Sequence, residues 1–367
     1  MSKKLLFLSA FSRDHALVSP SYFEVFKEED FKVQSFRLEK QVGLKNKIKY
    51  IASLYSAFKK FRPDFVFVND EFFSKNVLLV SLLKTIFFKK TKIISFIAER
   101  YIPQNSFLNA IKLDFLLKNI DFLFCRNKKE LENIKKRKPF SNYKNLYQIY
   151  WGYPRSVYFP LGQSREDVCE NLEILKNNYS KIKDKFVLGF IGRIIPEKGL
   201  LYLLKCLPLL PDKFAVVFAG RVIKNDYYKE IEKFIEDNNL KERVVYLGYV
   251  DSEHLKYVYN IFDLAVTPTT QEFDKDCIEL FGAVLAEAML SKVMVIGSDN
   301  GAIPEVINRK EMIFKESDSK DLLRVINFVH NLNPAEKKAI IEENYKRAID
   351  NFSSEAFVRG IINTISK

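Results

Sequence analysis

The 367-residue chain contains no run of about 18 consecutive apolar residues, the length that a transmembrane helix requires. Its apolar start is short and is followed at once by Arg13 and Asp14, which favours a first β-strand over a secretory signal. The chain has only four cysteines and three histidines, and they are not spaced like metal ligands. We therefore expect a cytoplasmic protein with reduced thiols and no metal site.

Glycine is scarce, and no Gly-x-Gly-x-x-Gly sequence follows the first predicted strand at 5–8. This disfavours a dinucleotide site of the dehydrogenase kind. The sequence also contains no fixed-period repeat and no recognisable nucleic-acid-binding module, so nucleic acid ranks last among possible partners.

The length favours two domains, and short apolar runs alternate with amphipathic segments. This β-then-α order is typical of an α/β protein with parallel sheets that are covered on both faces. The pattern breaks at 149–160, where turn residues cluster. We therefore expect a first domain at 1–160, a second at 161–335, and helices at 336–367 that can pack back on the first domain.

The predicted elements fall into two series. In the first half, strands are predicted at 5–8, 32–36, 65–68, 92–97 and 122–125, and helices at 46–61, 73–88, 106–118 and 128–137. In the second half, strands are predicted at 186–191, 214–219, 244–247, 264–267 and 293–296, and helices at 227–238 and 252–260.

Positive charge is concentrated in the first half of the chain. Residues 1–160 carry a net charge of +16, from 30 basic and 14 acidic residues, whereas residues 161–367 carry −3. Two predicted helices in this half, near 45–60 and 78–92, are both basic and aromatic. They suit an anionic membrane surface or a phosphate-bearing lipid, although ordinary sheet-covering helices with a solvated basic face would show the same pattern.

The stretch 279–287 shows two acids in a pattern that predicts a helix. Glu279 would lie in the first turn and Glu287 farther along, so that both could face one cleft. Gly282 would let a ligand approach the helix start, whose N–H groups suit a diphosphate. Alternatively, Glu279 is simply a favourable first-turn acid, and Glu287 is a solvated surface acid.

A phosphate-type loop is predicted after the first strand of the second half. The strand ends at Gly192 and Arg193, and Lys198 with Gly199 opens the next helix. A glycine, two cations and a helix start together favour an anion such as a phosphate, although Arg and Lys beside a loop are also common surface residues.

Six motifs, taken together and in order, resemble the retaining GT-B glycosyltransferases of family 4. The resemblance implies two Rossmann-like domains that face a central cleft. The motifs are 190–193 (Phe-Ile-Gly-Arg), 196–199 (Pro-Glu-Lys-Gly), 247–250 (Leu-Gly-Tyr-Val), Asp263 with Pro268 and Thr269, 279–289 (from Glu-Leu-Phe-Gly to Glu-Ala-Met), and 301–305 (from Gly to Glu).

The resemblance also implies roles for individual residues around a UDP- or GDP-sugar donor. Arg193 and Lys198, in the loop that begins at Gly192, would neutralise the donor diphosphate. Glu279 would contact the donor sugar, and the backbone N–H groups of Phe281 and Gly282 would bind sugar or phosphate oxygens. Glu287 would contact the ribose, and Tyr249 and Val250 would line the base pocket.

The resemblance implies a reaction in which the leaving phosphate takes the proton of the acceptor, without a side-chain nucleophile or a metal. The acceptor would be an oligosaccharide or a lipid-linked sugar in surface polysaccharide or glycolipid assembly, with the enzyme bound peripherally at the inner face of the membrane. The alternatives are a UDP-sugar hydrolase or epimerase of the same fold, and a non-catalytic binding or scaffold protein.

The sequence departs from the family on the acceptor side. Residues 9–13 replace the Gly-Gly loop that many relatives carry after the first strand, and 98–100 stand where many carry a histidine. His15 is interpreted as a loop histidine. The acidic loop 271–278 is expected to contact the donor or the acceptor.

Overall fold

The computed structural model describes residues 2–9, 18–38, 44–99, 102 and 107–367. The chain divides into two compact units, Met1–Gly152 with Ser354–Lys367 and Tyr153–Ser353. The expected boundary at 160 therefore lies too late, because the segment after Gly152 is part of the second unit. Of the predicted carboxyl-terminal helical region 336–367, only the part from Ser354 onward belongs to the first unit.

Helices and strands alternate along most of the chain. The elements are β1 (Lys3–Ser9), α1 (Val18–Glu28), β2 (Phe31–Arg37), α2 (Leu44–Phe61), β3 (Phe65–Glu71), α3 (Lys75–Phe87), β4 (Lys92–Phe96), α4 (Phe107–Asn119), β5 (Phe122–Cys125), α5 (Lys128–Lys135), β6 (Leu146–Gln148), α6 (Arg165–Glu170), α7 (Glu173–Lys176), α8 (Tyr179–Ile182), β7 (Phe186–Ile191), α9 (Leu200–Cys206), β8 (Phe214–Ala219), α10 (Asn225–Asp237), β9 (Val244–Tyr246), α11 (Leu255–Tyr259), β10 (Leu264–Thr267), α12 (Ala283–Leu290), β11 (Met294–Ser298), α13 (Ile303–Ile307), β12 (Ile313–Phe314), α14 (Ser319–Asn331), α15 (Pro334–Phe352) and α16 (Ser354–Ile365).

The first unit contains a parallel sheet in the order β2-β1-β3-β4-β5-β6. Apolar residues of α2, α3, α4 and α5 pack on one face of this sheet, with Leu54 and Phe58 of α2 fully buried. Helices α1 and α16 cover the other face, where the Tyr22 and Phe357 rings stack with centroids 4.4 Å apart. Both faces of the sheet are thus covered, which accounts for the continuous apolar runs within β1, β3 and β5.

The second unit contains a second parallel sheet, in the order β12-β11-β10-β7-β8-β9. Strand β8 is buried along its whole length, as expected for a central strand covered on both faces. The strand order reverses between β7 and β10, which is where open parallel sheets bind ligands, beyond their carboxyl ends. The expectation of an α/β protein with two Rossmann-like domains is confirmed.

None of the described helices combines the length and apolarity that a membrane span requires.

Candidate active site

The loops that leave the carboxyl ends of the second sheet contain most of the predicted site residues. Segments 192–199, 220–224, 247–254 and 268–282 follow β7, β8, β9 and β10, respectively. Because all strands of this sheet are parallel, these segments lie at one edge. Of the predicted residues in this unit, only Glu287 lies elsewhere, within α12.

The loop 192–199 is held at both ends by close backbone contacts. A Cβ atom on Gly220, where φ is 150°, would lie 1.7 Å from the carbonyl oxygen of Gly192. Gly199 caps α9 with φ of 71°, and a Cβ there would lie 1.9 Å from the Pro268 carbonyl oxygen. Only glycine tolerates both the positive φ and the close approach, so these two positions fix the loop geometry.

Lys198 and Glu279 form an ion pair across this edge, with Nζ 2.6 Å from Oε2. Both side chains are mostly buried, at 23% and 18% exposure. The second carboxylate oxygen, Oε1, accepts a longer bond of 3.3 Å from the Gly282 N–H. The carboxylate therefore connects the phosphate-type loop with the start of α12.

Two opposing effects act on the pKa of Glu279. Burial raises it, but the Lys198 ammonium, the Gly282 N–H and the charge of Arg193 together hold it below its usual value. Glu279 is therefore ionised at neutral pH. Arg193 itself is exposed at the same edge.

The backbone of Glu279 is fixed by the turn that follows β11. The buried Asn300 side chain accepts a 2.8 Å bond from the Glu279 N–H, and the Ala302 N–H donates to the Glu279 carbonyl at 2.8 Å. Gly301 adopts φ of 56°, and a Cβ there would lie 2.2 Å from that carbonyl oxygen. The motif at 301–305 was recognised from the sequence, but Asn300 was not predicted to position the site.

The prediction that Glu279 lies in the first turn of a helix is wrong. Helix α12 begins only at Ala283, because Gly282 adopts the left-handed region with φ of 84° and acts as the N-cap. Phe281 is buried, and its ring stacks on that of Tyr153 with centroids 5.9 Å apart. Residues 279–282 lie outside the helix, so the two acids do not share one helix face.

Glu287 is buried within α12, with 8% exposure, so its interpretation as a solvated surface acid is also wrong. The Tyr259 hydroxyl donates a 2.5 Å hydrogen bond to Oε2, and Tyr158 hydrogen-bonds the same carboxyl group. Burial raises the pKa of Glu287 to about 7, although both hydrogen bonds act to lower it. Glu287 is therefore close to half ionised at neutral pH.

Tyr249 and Val250 follow β9 at the same edge, where Tyr249 is 43% exposed. The guanidinium of Arg221 lies 4.1 Å from the centroid of the Tyr249 ring, within the range of a cation–π contact. Arg221 was not predicted from the sequence. A signal was present, because Gly220 and Arg221 follow β8 just as Gly192 and Arg193 follow β7.

The acidic loop 271–278 is tied to α9 at its beginning. The Tyr202 hydroxyl donates to the Glu272 carboxylate, and this bond is the main cause of a lowered Glu272 pKa. Phe273 and Ile278 expose about half of their surface at 53% and 46%. The loop therefore presents both acidic and apolar groups beside Glu279.

The predicted loops of the first unit are described only in part. Residues 10–17, with His15, and residues 100–101 lie outside the described part of the chain. Glu99 pairs with Arg137 at 2.7 Å, and its N–H donates to the buried Glu130 at 2.9 Å. Within the described residues, no three His, Cys, Asp or Glu side chains are grouped as a metal site would need.

Comparison with known proteins identifies the class of the second unit. Residues 172–347 match the family described as Glycosyl transferases group 1, and this range includes Arg193, Lys198, Glu279 and Glu287. The second unit is therefore a group 1 glycosyltransferase domain, and the chain has the GT-B architecture.

Curated relatives match over part of their length. An uncharacterized glycosyltransferase of Methanocaldococcus jannaschii is 30% identical over 129 residues, which are 35% of this chain and 30% of that protein. A serotype-specific mannosyltransferase of Escherichia coli is 26% identical over 186 residues, which are 49% of this chain and 20% of that protein. The chain thus spans less than a third of the length of either relative.

Solved structures match the fold over the whole chain. A crystal structure of an Anabaena protein in complex with UDP-glucose has a TM-score of 0.70 and 18% identity, and the match covers 99% of both chains.

Proposed function

We propose that the protein is a retaining glycosyltransferase of family 4 that moves a sugar from a UDP- or GDP-sugar to an oligosaccharide or lipid-linked acceptor. The ion pair of Lys198 with Glu279 carries this proposal, because it joins a phosphate-type loop to a carboxylate at the edge where parallel sheets bind ligands. The names of the relatives support the class, since one is a mannosyltransferase and the Anabaena structure contains UDP-glucose.

In this proposal, Arg193 and Lys198 bind the donor diphosphate. Lys198 gives one of its three N–H donors to Glu279 and keeps the others for phosphate oxygens. The diphosphate is the leaving group, so it gains negative charge as the sugar–oxygen bond breaks. The two cations would stabilise that charge in the transition state more than in the ground state, which lowers the barrier.

Glu279 would bind hydroxyl groups of the donor sugar. Its ionised carboxylate can accept hydrogen bonds, and Asn300 and Gly301 fix its backbone. The hydrogen bond from the Gly282 N–H to Oε1 is long, at 3.3 Å. In this proposal the N–H groups of Gly282 and Phe281 would bind an oxygen of the nucleotide sugar.

The nucleoside would lie along the same edge, farther toward β9. Tyr249 presents an exposed ring that the Arg221 guanidinium orders, and such a ring suits stacking on a base, with Val250 beside it. Glu287, oriented by Tyr259, would accept hydrogen bonds from the ribose hydroxyls.

The chemical step that we propose needs no side-chain nucleophile. The acceptor hydroxyl attacks the anomeric carbon on the face that the diphosphate leaves, and its proton passes to a diphosphate oxygen. The glycosidic bond forms as the sugar–phosphate bond breaks, with retention of configuration. Arg193 and Lys198 supply the positive charge that a divalent cation provides in other transferases, so we propose turnover without an added metal.

We further propose that the protein is cytoplasmic and that its first unit binds the inner face of the membrane. The support is an outward surface on α2 and α3 that mixes exposed apolar and basic side chains. Ile48 on α2 and Ile86 and Phe87 on α3 expose 57–59% of their surface, while Leu54 and Phe58 of α2 face the core. Such a surface suits insertion at an anionic bilayer. Surface polysaccharide or glycolipid assembly would place the acceptor there.

Incubation with a panel of UDP- and GDP-sugars, with and without oligosaccharide and lipid-linked acceptors, tests the reaction. Sugar transfer that depends on an acceptor is expected. Equal nucleotide release without any acceptor would instead identify a UDP-sugar hydrolase, conversion of the donor sugar would identify an epimerase, and tight donor binding without turnover would identify a binding protein.

A further inference from the structure

The amino-terminal edge of the first sheet contains a concave pocket of about 500 Å³. Since loops at the carboxyl ends of a parallel sheet form its usual ligand site, this pocket lies at the opposite edge from the predicted acceptor loops of the same unit. Its lining residues are Ser2, Lys3, Lys4, Arg62, Asp64, Phe65, Lys90 and Lys92.

Phenylalanine and lysine alternate across the starts of five neighbouring strands at this edge. In the order β2-β1-β3-β4-β5, the residues are Phe31, Lys3, Phe65, Lys92 and Phe122. The Lys3 ammonium lies 6.0 Å and 5.8 Å from the ring centroids of Phe31 and Phe65. The Lys92 ammonium lies 6.0 Å and 5.7 Å from those of Phe65 and Phe122. These distances lie at the outer limit of a cation–π contact, and they place both ammonium groups beside the buried Phe65 ring.

The charge of this pocket is not balanced by acids. Five cations line it, and none of them forms an ion pair with a residue that the structure describes. The single acid in the lining, Asp64, accepts a 2.8 Å hydrogen bond from the backbone N–H of Lys4. The acids at 28–30 precede β2 but do not line the pocket. Like charges gathered in a concave surface focus a positive potential, which favours binding of an anion.

We propose that this pocket binds a ligand that carries a diphosphate or a comparable cluster of phosphate groups. The lining has five cations and one acid, hence a net charge of +4, which matches a multiply charged anion better than a single carboxylate. Lys3 and Lys92 flank the Phe65 ring and would bind the two phosphate groups from either side. Arg62 adds a planar donor that suits phosphate oxygens.

The ligand can belong to a lipid head group or to a free metabolite, and both share the same phosphate chemistry. The pocket is independent of the proposed donor site, because it lies in the other unit and shares no residue with that site. It therefore represents a second phosphate site on the chain, whatever the donor of the reaction proves to be.

Isothermal titration calorimetry with pyrophosphate at low ionic strength tests the pocket. The protein carries Arg193→Ala and Lys198→Ala, so that the loop 192–199 contributes no second phosphate site. On this background, Lys3→Ala with Lys92→Ala is expected to weaken pyrophosphate binding at least about ten-fold, whereas Lys3→Arg with Lys92→Arg retains it. An unchanged affinity in the alanine variant would overturn the proposal.

The matched control removes two exposed lysines of α15, Lys338→Ala with Lys346→Ala, from the same background. It changes the net charge equally and is expected to retain affinity. An equal loss in this control would show that binding follows overall charge and not the pocket. Unchanged melting temperatures of all variants establish that each is folded.

Vesicles then distinguish the two sources of the ligand. Phosphatidylcholine vesicles that contain geranylgeranyl diphosphate are sedimented with the wild type and the Lys3/Lys92 variant. If the wild type pellets, the Lys3/Lys92 variant does not, and free pyrophosphate prevents the pelleting, the ligand of the pocket is a lipid head group. Pyrophosphate binding without such pelleting assigns the pocket to a soluble ligand, and both results support a phosphate pocket.

Discussion

The Tyr259 hydroxyl lies 2.5 Å from Oε2 of Glu287, a residue that is buried in the second unit with 8% exposure. Tyr158 hydrogen-bonds the same group. Burial disfavours the charged carboxylate more than the two phenol groups favour it, so the pKa of Glu287 rises from 4.5 to about 7. The site thus contains one acid that is ionised at neutral pH, Glu279, and one that is close to half ionised.

The first prediction concerns stability and pH. Because the folded protein holds the Glu287 proton more tightly than the unfolded chain, this group stabilises the fold fully below pH 4.5 and loses that contribution as the pH rises through about 7. The shift corresponds to about 3 kcal/mol in the free energy of unfolding. The measurement is the free energy of unfolding in urea at pH 5 and pH 8, for the wild type and for Glu287→Gln. The wild type should lose more stability between these two pH values than Glu287→Gln does.

Glu253→Gln makes the same chemical change at an exposed position and serves as the control. It is expected to keep the wild-type pH dependence. Identical pH dependence in the wild type and in Glu287→Gln would contradict the raised pKa of the buried carboxyl group.

The second prediction is that Arg193→Ala and Lys198→Ala each lower kcat/KM about 100-fold. Arg193→Ala should leave stability nearly unchanged because that side chain is exposed, whereas Lys198→Ala should also lower stability because it leaves the mostly buried Glu279 without its partner. In the proposed mechanism each removes a cation that stabilises the developing diphosphate charge, and such a contact is worth about 3 kcal/mol in the transition state. The measurement is the initial rate of transfer from a nucleotide sugar that the panel of UDP- and GDP-sugars has shown to be a donor. Near wild-type turnover in both variants would refute the assignment of loop 192–199 to the diphosphate.

Glu279→Gln sharpens this test, because it retains the shape of the side chain but removes the charge that pairs with Lys198. If the ion pair positions Lys198 for the phosphates, the effects of Glu279→Gln and Lys198→Ala are less than additive in the double variant. Full additivity would indicate that the two residues act separately.

The third prediction concerns nucleotide affinity. If Glu287 binds the ribose as proposed, Glu287→Gln removes the ionised group that accepts the ribose hydrogen bonds, so it is expected to weaken binding of free UDP or GDP about ten-fold or more. Affinity in the wild type should also increase as the pH rises through about 7, since Glu287 then ionises. Calorimetry that finds equal nucleotide affinity in a folded Glu287→Gln protein would eliminate the ribose role.

The fourth prediction follows from the contact between Arg221 and Tyr249. Arg221→Ala removes the cation that orders the exposed ring, and such contacts are worth about 0.5–1 kcal/mol. We expect donor KM to rise about three-fold to five-fold with little change in kcat, and Arg221→Lys to restore part of the loss. If donor KM is unchanged in Arg221→Ala, this ring does not bind the base.

The length of an apolar run decides which strands can be predicted from the sequence. Strand β8 and the middle of β1, at 5–8, were predicted because every residue in these segments is apolar. The two-residue β12 and the three-residue β6 were missed, since neither is long enough to show a pattern. Helix α1 was missed as well. It contains a proline at residue 20, which disfavours a helix in the sequence, and it packs against α16, which is distant in the sequence.

The site shows the same division between local and distant causes. The glycine turns and the Gly192–Arg193 pair were visible because they are local signals. The helix start was predicted too early because the apolar pattern continues through Gly282, whose left-handed conformation starts α12 at Ala283. Phe281 packs on Tyr153, which is distant in the sequence. The raised pKa of Glu287 was not predictable either, since Tyr158 and Tyr259 reach it from distant parts of the sequence.

The last prediction is that the first unit binds anionic membranes. Lys59 and Lys60 at the end of α2, and Lys89 and Lys90 after α3, are all exposed. Each lysine near an anionic surface contributes about 1 kcal/mol, and salt screens this attraction within about 8 Å at physiological ionic strength. Several together suffice for reversible binding, and the exposed Ile86 and Phe87 add apolar insertion.

The measurement is co-sedimentation with vesicles of neutral phosphatidylcholine and of phosphatidylcholine with phosphatidylglycerol. The wild type should pellet only with the anionic vesicles, and less as salt increases. Replacing Lys59, Lys60, Lys89 and Lys90 by Glu should release it, while the same change at four exposed lysines of the second unit, Lys213, Lys310, Lys338 and Lys346, should not. Equal pelleting with both kinds of vesicle, or equal loss in both variants, would leave the +16 against −3 asymmetry without this explanation. The position of the lysines, and not their number, decides the outcome, because both variants carry the same net charge.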